Sequence, residues 1–142
     1  MLNDLYQDVI LDHGRKPRNF GDLQDPTHVA EGFNTLCGDR VLVSLAVRGD
    51  RVEEIRFKGS GCAICMASAS LMTQMIRGKS VAEVRDLFTQ FQQAVTVEGA
   101  PSGGLGELEA LTGVKNYPNR VKCATLAWHA VKDALGAGEA GA

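Results

Sequence analysis

Four cysteines, Cys37, Cys62, Cys65 and Cys123, are the residues of this 142-residue chain whose types and spacing could do chemistry. Cys37 stands in "NTLCGDR", where Gly38 lets the backbone bend and Asp39 offers an oxygen ligand two residues from a sulfur. Cys62 ends the glycine-rich turn "GSGC", and Cys65 follows three residues later. Cys123 falls in the first or second turn of an expected helix, "NRVKCATLAWHAVKDAL", where backbone N–H groups favour a thiolate. Thiols placed like this can form a disulfide, a C-x-x-C redox couple or a metal site, or can simply pack as small apolar groups. Three thiolates and one carboxylate make a tetrahedral set suited to zinc. Three thiolates plus one other ligand can also hold an iron–sulfur cluster. A zinc ribbon would show two C-x-x-C pairs, and this chain has one. Spacing alone therefore leaves Cys65 open between a redox partner and a buried core residue.

The elements that must position these thiols can be read from periodicity. In "VLVSLAVRGDRVEEIRFKG", Val41, Val43, Leu45 and Val47 alternate, as do Ile55 and Phe57, with Gly49-Asp50 as a tight turn. This predicts an antiparallel hairpin with one apolar face, and "THVAEGF" is a candidate third, edge strand. The open end of the hairpin brings the start of its first strand beside the end of its second, so Cys37 and Cys62 become neighbours. The last helix can deliver Cys123 to the same place.

Helical patterns surround the hairpin. "LNDLYQDVILDH" gathers Leu2, Leu5, Tyr6, Val9 and Ile10 on one face before "GRKPRNFG" breaks it. "CMASASLMTQMIRG" aligns Ala69, Met72 and Ile76 and stops at Gly78. "SVAEVRDLFTQFQQ" opens on a capping box of Ser80 and Glu83. "VTVEGAPSGGLG" reads as loop, "LGELEALTG" as a short helix closed by Gly113, and Asn119 as the N-cap of the last helix. The fold class that follows is α+β: a small antiparallel sheet of about three strands with helices packed on one face. Residues 1–135 form one domain, and "GAGEAGA", residues 136–142, is expected to be a flexible tail.

Composition narrows the function classes. The chain is 44% apolar and 23% charged with a net charge of -2, an ordinary globular balance. That charge gives no reason to expect nucleic-acid or anionic-membrane binding. No apolar run approaches the roughly 20 residues of a membrane helix, and "MLNDLYQDVILDHG" lacks the basic start of a secretory signal. A cytoplasmic location is expected, where stable disulfides are rare. His13, His28 and His129 share no motif with a cysteine and read as packing or solvated residues. Met66, Met72 and Met75 read as core.

Several linked motifs, in order, cover nearly the whole chain: "LYQDVILDHGRKPRNFG", "CGD", "GSGCAICMASASLM" and "RVKCATLAW". In these the chain resembles the U-type iron–sulfur cluster assembly proteins, the IscU/NifU-N/SufU superfamily, and within it the SufU type. The resemblance implies a SufE/NifU-like fold and a metal site of Cys37, Asp39, Cys62 and Cys123. It implies zinc as the cofactor, with a [2Fe–2S] cluster on Cys37, Cys62 and Cys123 as the alternative. The implied partners are a pyridoxal-phosphate cysteine desulfurase of the SufS kind and a downstream Suf scaffold or apo iron–sulfur proteins. In such a sulfurtransferase Cys37 is the sulfur acceptor: it leaves the metal, and a desulfurase histidine takes its place. Arg120, one turn from Cys123, can support the freed thiolate or simply form a surface salt bridge.

Two features favour the SufU type over IscU. IscU carries histidine immediately before its last cysteine, where this chain has Lys122. The segment from Cys62 to Cys123 is also long, and "DLFTQFQQAVTVEGAPSGG" can accommodate the SufU insertion. The chain departs from the SufU pattern at Cys65, where serine is usual, and at Thr35, where proline is usual. The extra thiol can be silent, compete for the metal or relay sulfur.

Overall fold

The alternating residues build a three-stranded antiparallel sheet in the order β1–β2–β3, with β1 at His28–Asn34, β2 at Asp39–Arg48 and β3 at Arg51–Ser60. The computed structural model describes residues 2–35, 38–97 and 105–139. Val41, Val43 and Leu45 of β2 and Val52, Ile55 and Phe57 of β3 are completely buried. Gly49 turns the hairpin with φ of 61°, a left-handed conformation that glycine adopts without a Cβ clash. Val47, expected to continue the buried alternation, is only half buried. The register slips between Ala46 and Val47, so Val47 pairs with Val52, and Val52 takes the core position.

The outer edge of β3 is covered by the chain that follows the first helix. The Gly21 N–H donates to the Phe57 carbonyl at 2.8 Å, and the Phe57 N–H donates to the Asn19 carbonyl at 3.1 Å. Phe20 packs edge-on against Phe57, with ring centroids 5.2 Å apart. This partly satisfies an edge that would otherwise offer unpaired backbone groups.

The helices are α1 (Leu2–Arg15), α2 (Ala63–Ile76), α3 (Val81–Thr96), a 3₁₀ helix (Gly106–Asn116) and α4 (Pro118–Glu139). Every residue of α2 from Cys65 to Thr73 is buried, as a central helix requires. It packs against β3, α1 and α4, while α4 covers β1 and β2. Met66 and Met72 lie in the core and Met75 packs against it. The Trp128 ring of α4 stacks on Phe91 of α3 at 4.9 Å. Its indole N–H donates to the Ser68 Oγ at 3.2 Å. Among the described residues no buried side-chain nitrogen or oxygen lacks a partner.

Helix boundaries differ from expectation in four places. The capping box of α3 forms as read, with the Glu83 N–H donating to Ser80 Oγ at 3.1 Å and the Ser80 N–H donating to Glu83 Oε1 at 2.9 Å. The helix then extends to Thr96, into the segment expected as loop, because Val95 is buried in the core. The 3₁₀ helix runs past Gly113 to Asn116, and buried Val114 explains the extra turn. Tyr117, not Asn119, caps α4: its carbonyl accepts the Val121 N–H at 3.0 Å. Pro118 then occupies the first helical position, where a missing N–H removes no helical bond. Finally, α4 continues through residues 136–139, which were expected to be tail. No helix among the described residues is long and apolar enough to cross a membrane.

Candidate metal centre

Three of the four expected metal ligands meet at the open end of the hairpin. Asp39 is the first residue of β2, Cys62 follows β3 and caps α2, and Cys123 lies in the second turn of α4. Pairing of Arg40 with Ser60 brings Asp39 beside Gly61 and Cys62. A carboxylate oxygen of Asp39 and the Sγ atoms of Cys62 and Cys123 all lie within 4.8 Å of one another.

Glycine makes this approach possible. A Cβ at Gly61 would stand 2.5 Å from Asp39 Oδ1. A Cβ at Gly59 would stand 2.0 Å from the Arg40 carbonyl oxygen, and its φ of 148° is already unfavourable for other residues. The "KGSGC" glycines therefore let β3 and the following turn close against β2 at the site.

The backbone orients the donors. The Cys62 N–H donates to Asp39 Oδ1 at 2.9 Å. Cys62 is in extended conformation at the N-cap of α2, and its Sγ accepts the Cys65 N–H at 3.4 Å. Asn34, the last residue of β1, is paired with Asp39 in the sheet. Its Nδ2 donates to Asp39 Oδ2 at 3.4 Å and to Cys123 Sγ at 3.5 Å. Sequence reasoning missed Asn34. An asparagine at a strand end has no ligand spacing, and only the β1–β2 register reveals its reach.

The donor set fits a cation. Asp39 is 2% exposed and Cys123 1%, with Cys62 half buried. Among the described residues no Lys or Arg forms an ion pair with Asp39. A buried carboxylate facing two sulfurs, with the Cys62 N–H and the Asn34 amide as its neutral donors among the described residues, is suited to a thiophilic metal such as zinc.

The other sequence candidates fall in different places. Cys37 lies outside the described residues. Cys65 is completely buried in the core. His13 is buried against Ser70, with Nδ1 2.7 Å from Ser70 Oγ, and burial together with nearby Arg18 lowers its pKa. His28 pairs with Thr27 Oγ1 at 2.8 Å, and His129 packs edge-on to Phe88. None of the three belongs to the cluster. Arg120 is exposed, with its guanidinium 5.7 Å from the Tyr117 ring centroid. Lys122 is exposed beside Cys123 in sequence. A separate cavity of about 620 Å³ lies between α3 and α4, lined by Phe88, Trp128 and Lys132 among others, and contains none of the cluster residues.

Comparison with known proteins shows the family. Residues 5–124 match the family model described as the NifU-like N terminal domain. The zinc-dependent sulfurtransferase SufU of Bacillus subtilis is 42% identical over 99% of this chain and 95% of its own length. The iron–sulfur cluster assembly scaffold protein IscU of Streptococcus pyogenes is 40% identical, covering 94% of this chain and 84% of its own. Among solved structures, a putative iron–sulfur cluster assembly scaffold protein for the SUF system from Fervidobacterium islandicum superposes with a TM-score of 0.86 at 32% identity. It covers 94% of this chain and 98% of its own.

Proposed function

Because the chain belongs to the NifU-like N-terminal domain family, we propose that it is a zinc-dependent sulfur acceptor in iron–sulfur cluster biogenesis, taking persulfide sulfur from a pyridoxal-phosphate cysteine desulfurase of the SufS kind. The observation that carries this reading is the gathering of Asp39, Cys62 and Cys123 within 4.8 Å. Cys37, two residues before Asp39, completes a four-ligand set. The likeness to a SufU named for zinc-dependent sulfur transfer supports the same choice.

Zinc, when bound, keeps sulfur ligands deprotonated at neutral pH. The chain's own residues do the rest. Asp39, fixed by the Cys62 N–H and by Asn34, holds its place while Cys62 and Cys123 are anchored on α2 and α4. Cys37 falls in sequence between β1 and β2, next to Gly38, whose φ of 70° is a left-handed conformation suited to glycine. This reading makes Cys37 the thiol that accepts sulfur while the other three ligands hold the metal. Its thiolate attacks the outer sulfur of the desulfurase persulfide. The S–S bond of the donor breaks as a new S–S bond forms on Cys37, the donor cysteine leaves as thiolate, and the proton stays on the transferred sulfur. No electrons are gained or lost overall. Arg120, exposed one turn before Cys123, supports the freed thiolate. The product sulfur passes to a downstream Suf scaffold or to apo iron–sulfur proteins.

A second reading is an IscU-like scaffold carrying a [2Fe–2S] cluster as cargo on Cys37, Cys62 and Cys123. The 40% identity to a protein named as such a scaffold favours it. Lys122, in the place of the IscU histidine, weighs against it.

The test is desulfurase turnover with and without this protein. The zinc-loaded chain should accelerate cysteine consumption, and Cys37→Ser should abolish that stimulation while remaining folded. Stimulation that survives in Cys37→Ser would overturn the proposal.

A further inference from the structure

The one cysteine that sulfur transfer leaves unused is Cys65, and its position gives it a use. Cys62 is the N-cap of α2 and Cys65 is the third helical residue, so Cys62 Sγ lies 3.4 Å from the Cys65 backbone nitrogen. That nitrogen is two bonds from Cys65 Cβ. Helical Cα–Cβ bonds tilt toward the N-terminus, so the Cys65 side chain leans toward the cap. Three helical residues rise about 4.5 Å and rotate about 300°, which sets their Cα atoms roughly 5 Å apart, inside the roughly 4.4–6.8 Å between Cα atoms that a disulfide requires. The two thiols also differ in access: Cys62 is half buried and Cys65 completely buried. An attacking reagent meets Cys62 first, and Cys65 answers from inside.

We propose that Cys62 and Cys65 form a reversible disulfide that switches the metal centre off under peroxide stress. The metal part of this rests on the reading that Cys62 is a ligand; the thiol pairing does not. The Cys62 thiolate attacks one oxygen of a hydroperoxide, the O–O bond breaks, and hydroxide (or alkoxide) leaves, giving a sulfenic acid on Cys62. The Cys65 sulfur then attacks Cys62, the S–O bond breaks, the S–S bond forms, and the Cys65 proton leaves in water. Two electrons pass from the two sulfurs to the peroxide. Cys62 can no longer ligate, and of the described cluster only Asp39 and Cys123 remain, so the metal is released. A dithiol reductant returns both thiols and restores the site. Cys65 thereby stops Cys62 from reaching the sulfinic state, which a dithiol does not repair.

The experiment treats the zinc-loaded full chain with hydrogen peroxide, follows zinc release with a chromogenic chelator, and maps disulfides by mass spectrometry after alkylation. The wild type should accumulate a Cys62–Cys65 disulfide in step with zinc release, and a dithiol should restore most of its zinc binding. Cys65→Ala, chosen to keep the site apolar, should bind zinc like the wild type before oxidation. After oxidation it should carry sulfinate at Cys62 and fail to recover its zinc. A dominant disulfide from Cys62 to Cys37 or Cys123, or equal recovery in Cys65→Ala, would overturn the proposal. If the chain never retains zinc, the metal reading fails, and the disulfide map alone decides the pairing: Cys62–Cys65 upholds it and any other pair refutes it.

Discussion

The backbone N–H of Cys62 donates to Asp39 Oδ1 at 2.9 Å, which ties two candidate ligands to each other across the end of the β2–β3 hairpin. One bond thus orients the carboxylate and fixes the start of α2. Asp39→Ala would remove a candidate oxygen ligand and also leave that N–H without its acceptor. Zinc affinity should fall by more than the roughly 10–100-fold seen when an outer-shell partner is lost. Competition with a chromogenic chelator measures it, and an unchanged affinity would remove Asp39 from the site.

Asn34→Ala tests the residue that bridges Asp39 and Cys123. Its side-chain amide touches both donors without being a metal ligand itself. Zinc affinity should drop by about tenfold, while thermal stability of the metal-free chain stays near wild type. A loss of stability with no change in affinity would make Asn34 a purely structural strand end.

Gly61→Ala and Gly59→Ala should separate site closure from folding. At Gly61 the added methyl meets a carboxylate oxygen that can move, at the expense of metal affinity. At Gly59 it meets the Arg40 backbone, which cannot move without breaking the sheet. Gly59→Ala should therefore cost about 3 kcal/mol, the upper end for overpacking, and Gly61→Ala less. Denaturant titration of the metal-free variants gives the order, and the reverse order would contradict the close approach at Gly59.

His13 predicts a pH dependence. Its pKa is lowered by burial first and by Arg18 second, against the opposing pull of Glu107 and Asp12. The unfolded chain therefore takes up the proton before the native state does. His13 leaves stability intact above its ordinary value of 6.5 and reduces it as pH falls from there toward the lowered native value. Protonation also removes the nitrogen lone pair that can accept the Ser70 hydroxyl. His13→Gln should lose less stability than the wild type between about pH 7 and 5. Equal slopes would mean that His13 is not held neutral in the native state.

Much of this centre was legible because its candidate ligands sit at punctuation marks. Asp39 and Cys62 stand at glycine-marked ends of an alternating pattern, and a hairpin must bring such ends together. Cys123 was legible as a thiol in the first turns of the last helix, where backbone N–H groups favour a thiolate. Asn34 was not, because its role depends on which residue of β2 lies opposite it, and an edge strand of half-buried residues carries weak register information. The polar pins of α2 were hidden for a related reason. Ser68 and Ser70 look like ordinary small helix residues until Trp128 and His13 arrive from 60 and 57 positions away. The cap of α4 was misplaced because Asn119 has the better capping side chain, whereas Pro118 fixes the backbone one residue earlier.

The most direct test of sulfur acceptance is the location of the added sulfur. The zinc-loaded protein is incubated with a pyridoxal-phosphate cysteine desulfurase and cysteine, alkylated, digested and mapped by mass spectrometry. One extra sulfur, mainly on Cys37, is the predicted result. Extra sulfur chiefly on Cys62, Cys65 or Cys123, or no persulfide together with iron-dependent cluster assembly on the chain, would contradict it.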